Sequence, residues 1–139
     1  PKVARGNLFN FFIFLRFLAK IEHRDPNRLI PPALSFRCLQ KKCAPCHSFN
    51  KGGKNKVGPN LWNIVNKSKA SVDGYKYSNA LSGYGGAWDW DALNGFLANP
   101  KAYVKGTKMA YAGLKKDEDR AAMLAYLRSL SETPADLPN

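Results

Sequence analysis

Two cysteines and a histidine stand close together in the stretch Cys43-Ala44-Pro45-Cys46-His47. The pattern C-x-x-C-H is the attachment signature of a c-type haem. Two thiols at this spacing can each add to one vinyl group of the same porphyrin and form two thioether bonds. His47 is then held over the porphyrin face and can ligate the iron, which also needs a second axial ligand or an open position. The motif therefore predicts one haem c, bound covalently through Cys43 and Cys46.

The C-x-x-C part alone is also typical of zinc half-sites and of redox dithiols. A zinc site needs a second pair of ligands, and outside the motif the sequence offers only Cys38 and His23. A thioredoxin-like dithiol belongs to a βαβ pattern, which the sequence does not show. Haem attachment is therefore the better interpretation, and we expect Cys38 to be a buried or surface thiol rather than a disulfide partner.

The second axial ligand is sought among two methionines. Met123 falls in the Ala/Leu pattern of the last predicted helix, where methionine usually fills a core. Met109 falls in a predicted loop, directly after Gly106-Thr107-Lys108. Thioether sulfur suits a low-spin haem iron and raises its potential. We therefore favour Met109 over His23 or an open position.

The pattern of apolar residues and breakers predicts an all-α fold with substantial loops. Ser78 and Asp89 are good N-caps, Asn99-Pro100 stops or kinks the helix before it, and the acidic residues 117–119 suit the positive end of a helix dipole. Helices are expected at 36–44, 61–65, 78–81, 89–98 and from 117 onward, with loops at 50–58, 66–77 and 105–114.

With 139 residues, the chain predicts one domain at 36–131, followed by a loose, Pro-rich tail at 132–139. Residues 1–20 are apolar with basic flanks, but the run is too short for a spanning helix and contains Arg16. This segment is the end of a truncated anchor, a signal remnant or an amphipathic surface segment. We favour export or anchoring, because haem is attached after translocation. The Pro-rich residues 21–35 read as a linker.

The net charge of +12 is unusually positive, with +7 in residues 1–42 and +5 in residues 43–139. Such charge favours binding to nucleic acid, to an anionic membrane surface or to an acidic protein. No basic run is interleaved with aromatic residues, so nucleic acid is the weakest of these partners.

From Leu39 to Leu130 the chain resembles class I cytochromes c, specifically the mitochondrial type and its α-proteobacterial relatives, including membrane-anchored ones. Against a typical mitochondrial-type sequence, the spacing from His47 to Tyr126 needs no gap. The residues that carry the resemblance are Cys43–His47, Gly58-Pro59-Asn60-Leu61, Gly74, Tyr77, Trp88, Asn99-Pro100-Lys101, Gly106-Thr107-Lys108-Met109, Ala112-Gly113 and Ala125-Tyr126-Leu127.

The resemblance implies the class I cytochrome c fold, in which short helices and loops wrap around one covalent haem. It implies that His47 and Met109 are the axial ligands and that the Pro59 carbonyl accepts the ring N–H of His47. It also implies that Tyr77 and Trp88 donate to a buried propionate. Thr107 should line the same inner edge of the haem, and Tyr111 should lie beside its exposed edge.

Several positions depart from the family pattern. Phe96 replaces a tyrosine that many members keep near the methionine sulfur, and Leu81 replaces an asparagine of the same water network. We therefore predict that less water lies on the side of the haem where the methionine sulfur is expected. Lys67 replaces a common arginine near the propionates, and Ser35 and Leu39 replace a glycine and a phenylalanine at the crossing of the terminal helices.

Seven lysines fall where the family keeps lysines around the exposed haem edge: Lys42, Lys54, Lys56, Lys101, Lys108, Lys115 and Lys116. They predict a docking ring for acidic redox partners, which mainly raises the association rate.

The function that the resemblance implies is a monomeric one-electron carrier with no catalytic residues. It would run between a bc1-type quinol–cytochrome c oxidoreductase and a terminal oxidase or reductase. The expected location is the periplasm, with anchoring to the inner membrane as one form, or alternatively the mitochondrial intermembrane space. Two alternatives are a gas- or peroxide-binding haem protein with an exchangeable sixth site, and a haem domain of a larger oxidase or dehydrogenase.

Overall fold

Short α-helices joined by long loops make up residues 39–138, the part of the chain that the computed structural model describes. The elements are a π-helical turn at Leu39–Cys43 and the helices α1 (Asn79–Ser82), α2 (Trp90–Ala98), α3 (Pro100–Tyr103) and α4 (Asp117–Ser129). Within these residues β pairing is limited to one isolated antiparallel bridge between Ser68 and Ala87. The prediction of an all-α fold is confirmed.

Side-chain caps begin three of the four helices. Ser78 Oγ accepts a hydrogen bond from Leu81 N at 3.2 Å, and Asp89 Oδ1 accepts one from Ala92 N at 2.8 Å. Each bond satisfies a backbone N–H that has no partner within the helix. Helix α4 has no side-chain cap, but its first turn holds the three acidic residues 117–119, which interact favourably with the helix dipole.

Residues 61–65 form turns rather than the expected helix. The Oδ1 atom of Asn60 accepts a hydrogen bond from Trp62 N at 3.0 Å, which closes an Asx-turn. Asn63 and Asn66 then adopt the left-handed conformation, with φ of 56° and 63°. Asparagine visits that region readily, so the local side-chain chemistry overrides the apolar pattern.

Helix α2 is the centre of the described fold and contacts both α3 and α4. Leu93 and Leu97 on α2 and Leu124 and Leu127 on α4 are buried in one core cluster. Spacings of three and four residues place each pair on one face of its helix. The π-helical turn, the loops and α1 surround this pair of helices and complete the cavity described below.

The C-terminal tail folds back onto the helices. Arg128 Nε donates to the carbonyl of Ala135 at 2.6 Å, and Trp90 Nε1 donates to the carbonyl of Asp136 at 3.0 Å. Lys51 and Glu132 form a surface ion pair at 2.7 Å. The expectation of a loose tail is therefore wrong, because side chains of α2 and α4 bind the tail's carbonyl groups.

The expected anchor or signal segment (1–20) and the linker (21–35) lie outside the described residues, as do His23, Ser35 and Cys38. The first part of the helix expected at 36–44 also lies outside them. Among residues 39–138, no helix is both long enough and apolar enough to span a bilayer.

Candidate haem-binding site

One cavity of about 400 Å³ gathers the chemically distinctive residues of the chain. Its volume lies in the range of cofactor sites, about 300–1,000 Å³. The walls are mostly apolar, and the polar groups are few. The nine residues that the sequence predicted to contact a haem all line it: Cys43, Cys46, His47, Pro59, Tyr77, Trp88, Phe96, Thr107 and Met109.

Backbone hydrogen bonds hold the C-x-x-C-H motif in a tight turn. The carbonyl of Cys43 accepts from Cys46 N at 3.0 Å and from His47 N at 2.9 Å. Cys43 is buried and Cys46 is half-buried. The turn therefore brings two thiols and an imidazole to one wall of the cavity, as double thioether attachment requires.

The His47 ring is fixed by the residues that follow the motif loop. Its Nδ1 lies 2.7 Å from the carbonyl oxygen of Pro59. A carbonyl can only accept, so Nδ1 carries the proton and Nε2 is the nitrogen able to bind a metal. A Cβ atom on Gly58 would lie 2.4 Å from His47 Cε1. The backbone of residues 58–59 therefore presses directly against the imidazole.

Burial lowers the pKa of His47, and this effect outweighs the hydrogen bond to Pro59, which raises it. The positive charge of Lys56 lowers the pKa further. The net effect is a lowered pKa, which favours the neutral imidazole, the form that ligates metal ions.

The loop that carries Met109 is fastened at both ends. Near its start, Thr107 Oγ1 accepts a hydrogen bond from Met109 N at 3.3 Å, and Lys108 Nζ donates to the carbonyl of Lys76 at 3.0 Å. At its end, Leu114 N donates to the carbonyl of Leu97 at 2.7 Å. These bonds tie the loop to the 66–77 region and to α2.

A buried arginine, which sequence reasoning missed, closes the end of the same loop. Arg120 donates through one guanidinium nitrogen to the carbonyls of Leu114 at 2.8 Å and Lys115 at 3.1 Å. Its Nε donates to Asn94 Oδ1 at 2.8 Å, and it pairs with Asp117. A basic residue in the first turn of an amphipathic helix is usually solvent-exposed, so this role is not predictable from the sequence pattern.

Two polar side chains reach the cavity beside the segment 66–77. The Tyr77 hydroxyl accepts a hydrogen bond from Val72 N at 3.2 Å, and Trp88 is buried. Burial raises the pKa of Tyr77, which keeps its phenol protonated and able to donate. The cavity lining therefore includes Trp88 and Tyr77, whose side chains carry an indole N–H and a phenol O–H.

The cavity lining includes the two apolar residues that the sequence predicts to keep water away from Met109. Leu81 and Phe96 are both buried and both line the cavity. Met123, expected to be core, is almost fully buried and also reaches the lining. The cavity thus contacts two thioethers, one on a loop and one within α4.

These residues fit a haem c. The two thiols suit thioether attachment, the imidazole has a fixed tautomer, and a thioether is available as a second ligand. The apolar walls and the few hydrogen-bond donors suit a flat, largely apolar macrocycle with charged propionates.

All seven lysines predicted to form the docking ring are exposed. Lys42 and Lys108 also line the cavity, as does Val57, which is 77% exposed. Three of the ring lysines bind backbone carbonyls as well: Lys56 Nζ donates to Ala44 at 2.9 Å, Lys115 Nζ to Ala98 at 2.9 Å and Lys108 Nζ to Lys76 at 3.0 Å.

Comparisons with known proteins give a consistent result. The cytochrome c family model matches residues 36–131. A cytochrome c homolog of Bradyrhizobium diazoefficiens is 50% identical over 99 residues, which cover 70% of this chain and 54% of the relative. A cytochrome c homolog of Rickettsia typhi is 50% identical over 93 residues, covering 67% and 53%. The chain thus spans about half the length of these curated relatives.

A cytochrome c of Theileria annulata is 44% identical over 110 residues, which cover 77% of this chain and 95% of that protein. The similarity therefore extends to a relative that is matched over nearly its whole length.

Proposed function

The chain belongs to the cytochrome c family, and on this basis we propose that it holds one haem c and carries single electrons without catalysing a reaction of its own. The observation that carries the proposal is that one cavity is lined by both motif cysteines, His47 and Met109. Haem bound there supplies a one-electron Fe(III)/Fe(II) couple.

Four side chains hold the haem in this proposal. Cys43 and Cys46 would form the thioether bonds, and His47 Nε2 and Met109 Sδ would bind the iron. The Pro59 carbonyl keeps the imidazole in one tautomer and orientation and raises its basicity, as such outer partners generally do. Two firm axial ligands keep small molecules off the iron, which is why the chain is a carrier rather than an enzyme.

The remaining lining residues divide into a polar and an apolar set. Tyr77, Trp88 and Thr107 bind the propionate edge, because they bring hydroxyl and indole donors to the cavity. Leu81 and Phe96 exclude water near Met109. Low local polarity and controlled hydrogen bonding are two of the means by which a protein sets a haem potential.

The partners that fit are acidic redox proteins. The seven exposed lysines form a positive ring that would steer and orient such a partner. We propose a bc1-type complex as electron donor and a terminal oxidase or reductase as acceptor, with the chain acting as a monomer. The location that fits these partners is the periplasm, with or without an anchor, or the mitochondrial intermembrane space.

The near-infrared spectrum of the ferric protein tests the ligand set. A weak sulfur-to-iron charge-transfer band is expected at neutral pH. Met109→Leu should abolish the band, while Met109→His should restore a low-spin spectrum without it. Met123→Leu is the matched control, because it removes the other thioether of the cavity at nearly constant volume.

Three outcomes would contradict the proposal. A band that survives in Met109→Leu and disappears in Met123→Leu would assign the ligand to α4. A high-spin ferric spectrum in the unsubstituted protein would mean an open sixth position and would favour gas or peroxide chemistry. A polypeptide without covalent haem mass after maturation would refute the cofactor itself.

A further inference from the structure

Two chain segments meet along the outer side of Trp88. Asn66 N donates to the Trp88 carbonyl and Trp88 N donates to the Lys67 carbonyl, both at 2.8 Å. Lys69 N then donates to the Gly86 carbonyl, also at 2.8 Å. These three bonds fix the register of residues 66–69 against 86–88 and hold the tryptophan backbone in place.

The register brings the side chain of Lys69 onto two aromatic rings. Its Nζ lies 5.2 Å from the centroid of the Trp88 ring and 5.3 Å from that of Tyr84. The same Nζ donates to the Ala87 carbonyl at 2.8 Å. Lysine side chains are usually flexible point charges in solvent, but this ammonium is held by two cation–π contacts and a hydrogen bond.

Gly86 lies directly against this ammonium. A Cβ atom on Gly86 would lie 3.3 Å from Lys69 Nζ, and Gly86 has a φ of +74°. Glycine adopts that conformation without a steric penalty. The turn therefore favours glycine at position 86, and a side chain there would require the ammonium to shift by a few tenths of an ångström.

The Trp88 ring connects this charge to the cavity. Trp88 is only 6% exposed and lines the cavity described above. Lys69 is half-buried, so its charge is less screened than that of a lysine in bulk solvent. A fixed positive charge thus stands against the ring that forms part of the cofactor pocket.

We propose that Lys69 tunes the electron affinity of the bound cofactor. The proposal rests on the proposed function, since it requires a haem in the cavity. Reduction adds one negative charge to the haem, and a nearby fixed cation stabilises the reduced state relative to the oxidised state. Lys69 therefore raises the reduction potential, and it does so through space across Trp88 rather than by contact with the cofactor.

The test is a redox titration of the unsubstituted holoprotein and of four variants. It separates the effect of charge on the reduction potential from the effect of packing. Lys69→Met removes the charge but keeps an apolar side chain of similar length, and Lys69→Arg keeps the charge. Lys51→Met is the matched control, because it removes a lysine whose surface ion pair with Glu132 lies outside the cavity lining. Tyr84→Leu removes one aromatic contact and leaves the charge.

We expect Lys69→Met to lower the equilibrium constant for haem reduction about fivefold. At 59 mV per tenfold for one electron, this lowers the reduction potential by about 40 mV. Lys69→Arg, Lys51→Met and Tyr84→Leu should each change this equilibrium constant by less than about twofold, or the potential by less than about 18 mV. At high ionic strength the effect of Lys69→Met should largely persist, because partly buried charges are poorly screened.

A shift in Lys51→Met equal to that in Lys69→Met would overturn the proposal, since it would report net charge alone. A shift in Lys69→Arg or Tyr84→Leu as large as in Lys69→Met would also overturn it, since packing would then be the cause. Each variant is first checked for covalent haem and the near-infrared band. If these match the unsubstituted protein, a missing shift refutes the role of Lys69 and leaves the proposed function intact.

Discussion

The contact between Gly58 and the His47 ring makes position 58 sensitive to a single methyl group. A Cβ atom there would lie 2.4 Å from Cε1 of His47 and 2.7 Å from Nδ1. The ring cannot retreat without losing its hydrogen bond to Pro59. We expect Gly58→Ala to destabilise the ferric holoprotein by about 1–3 kcal/mol, the usual cost of overpacking. Denaturant unfolding followed at the haem absorbance measures this change.

Gly83→Ala is the matched control for this substitution. Gly83 has a negative φ of −84°, and a Cβ atom there would approach the Asn79 carbonyl at 3.3 Å. An alanine at this helix end should therefore change stability far less. Equal losses in the two variants would mean that the imidazole has room to move, contrary to the close packing described here.

A second residue-scale prediction concerns Leu81 and Phe96, which give the cavity its apolar wall near Met109. Leu81→Asn or Phe96→Tyr alone buries one new polar group, at a cost of about 1–3 kcal/mol if it finds no partner. Together, the amide and the hydroxyl could satisfy each other through a shared hydrogen bond or water. The double variant should therefore be less destabilised than the sum of the single variants.

A double-mutant cycle from denaturant unfolding tests this coupling. Leu81→Asn paired with Phe96→Leu is the control, because it lacks the hydroxyl while keeping the first change. If the losses in free energy of unfolding of Leu81→Asn and Phe96→Tyr add up to that of the double variant within about 0.5 kcal/mol, the predicted coupling is contradicted.

At the scale of elements, prediction succeeded where a local signal and the tertiary structure agree. Ser78 and Asp89 begin α1 and α2 as their capping preference predicts. The helix Pro100–Tyr103 was missed, although Asn99 is its N-cap and proline stands at its first position. The Asn99-Pro100 pair is predicted only to stop or kink the preceding helix, whereas proline is also common at the first position of a new helix.

Two expectations failed where apolar periodicity carries no information. The helix expected at 61–65 is interrupted by the left-handed conformation of Asn63 and Asn66, with φ of 56° and 63°. The tail is held by Trp90 and Arg128, whose side chains donate to its backbone carbonyls. Both features depend on geometry that only the folded chain supplies.

Arg120 supports an element-scale prediction about the loop that carries Met109. Its guanidinium holds the Leu114 and Lys115 carbonyls and joins them to Asn94 on α2. Arg120→Met would leave the buried Leu114 carbonyl without this donor, at a cost of about 1–3 kcal/mol. We expect the near-infrared band to disappear at a lower temperature than global unfolding, because the loop end is released first.

Arg128→Met provides the control on the same helix, since Arg128 binds the Ala135 carbonyl of the tail. It should leave the band's temperature dependence close to that of the unsubstituted protein. If the band and the global transition still coincide in Arg120→Met, the arginine stabilises the whole fold rather than the loop.

At the scale of the whole molecule, nine residues of the cavity lining were predictable from the sequence. The C-x-x-C-H motif and the resemblance to class I cytochromes c singled them out, and the structure brings them to one cavity. Their contact with a haem stays a prediction. Lys69 and Arg120 were not predictable as part of the site. Most lysines and arginines are solvated, and only the fold places one ammonium on Trp88 and one guanidinium beneath a loop.

The net charge of +12 leads to the last prediction. Electrostatic steering raises association rates by about 10- to 1,000-fold in total, so an equal share for one of seven ring lysines is about 1.4- to 2.7-fold. Lys101→Gln should slow electron transfer from a detergent-purified bc1-type complex by that factor at low salt. The difference should vanish near 1 M salt, where the Debye length is about 3 Å.

Lys51→Gln is the charge-matched control for Lys101→Gln, because Lys51 is bound to Glu132 outside the predicted ring. Lys115→Gln separates docking from stability, since the Lys115 ammonium also binds the Ala98 carbonyl at the end of α2. It should slow electron transfer like Lys101→Gln and also lower the unfolding midpoint. If Lys51→Gln slows electron transfer as much as Lys101→Gln, the rate depends on the overall net charge, and the ring lysines do not form a specific docking surface. If the rate of electron transfer to the unsubstituted protein does not depend on salt concentration, the assignment of an acidic partner is contradicted.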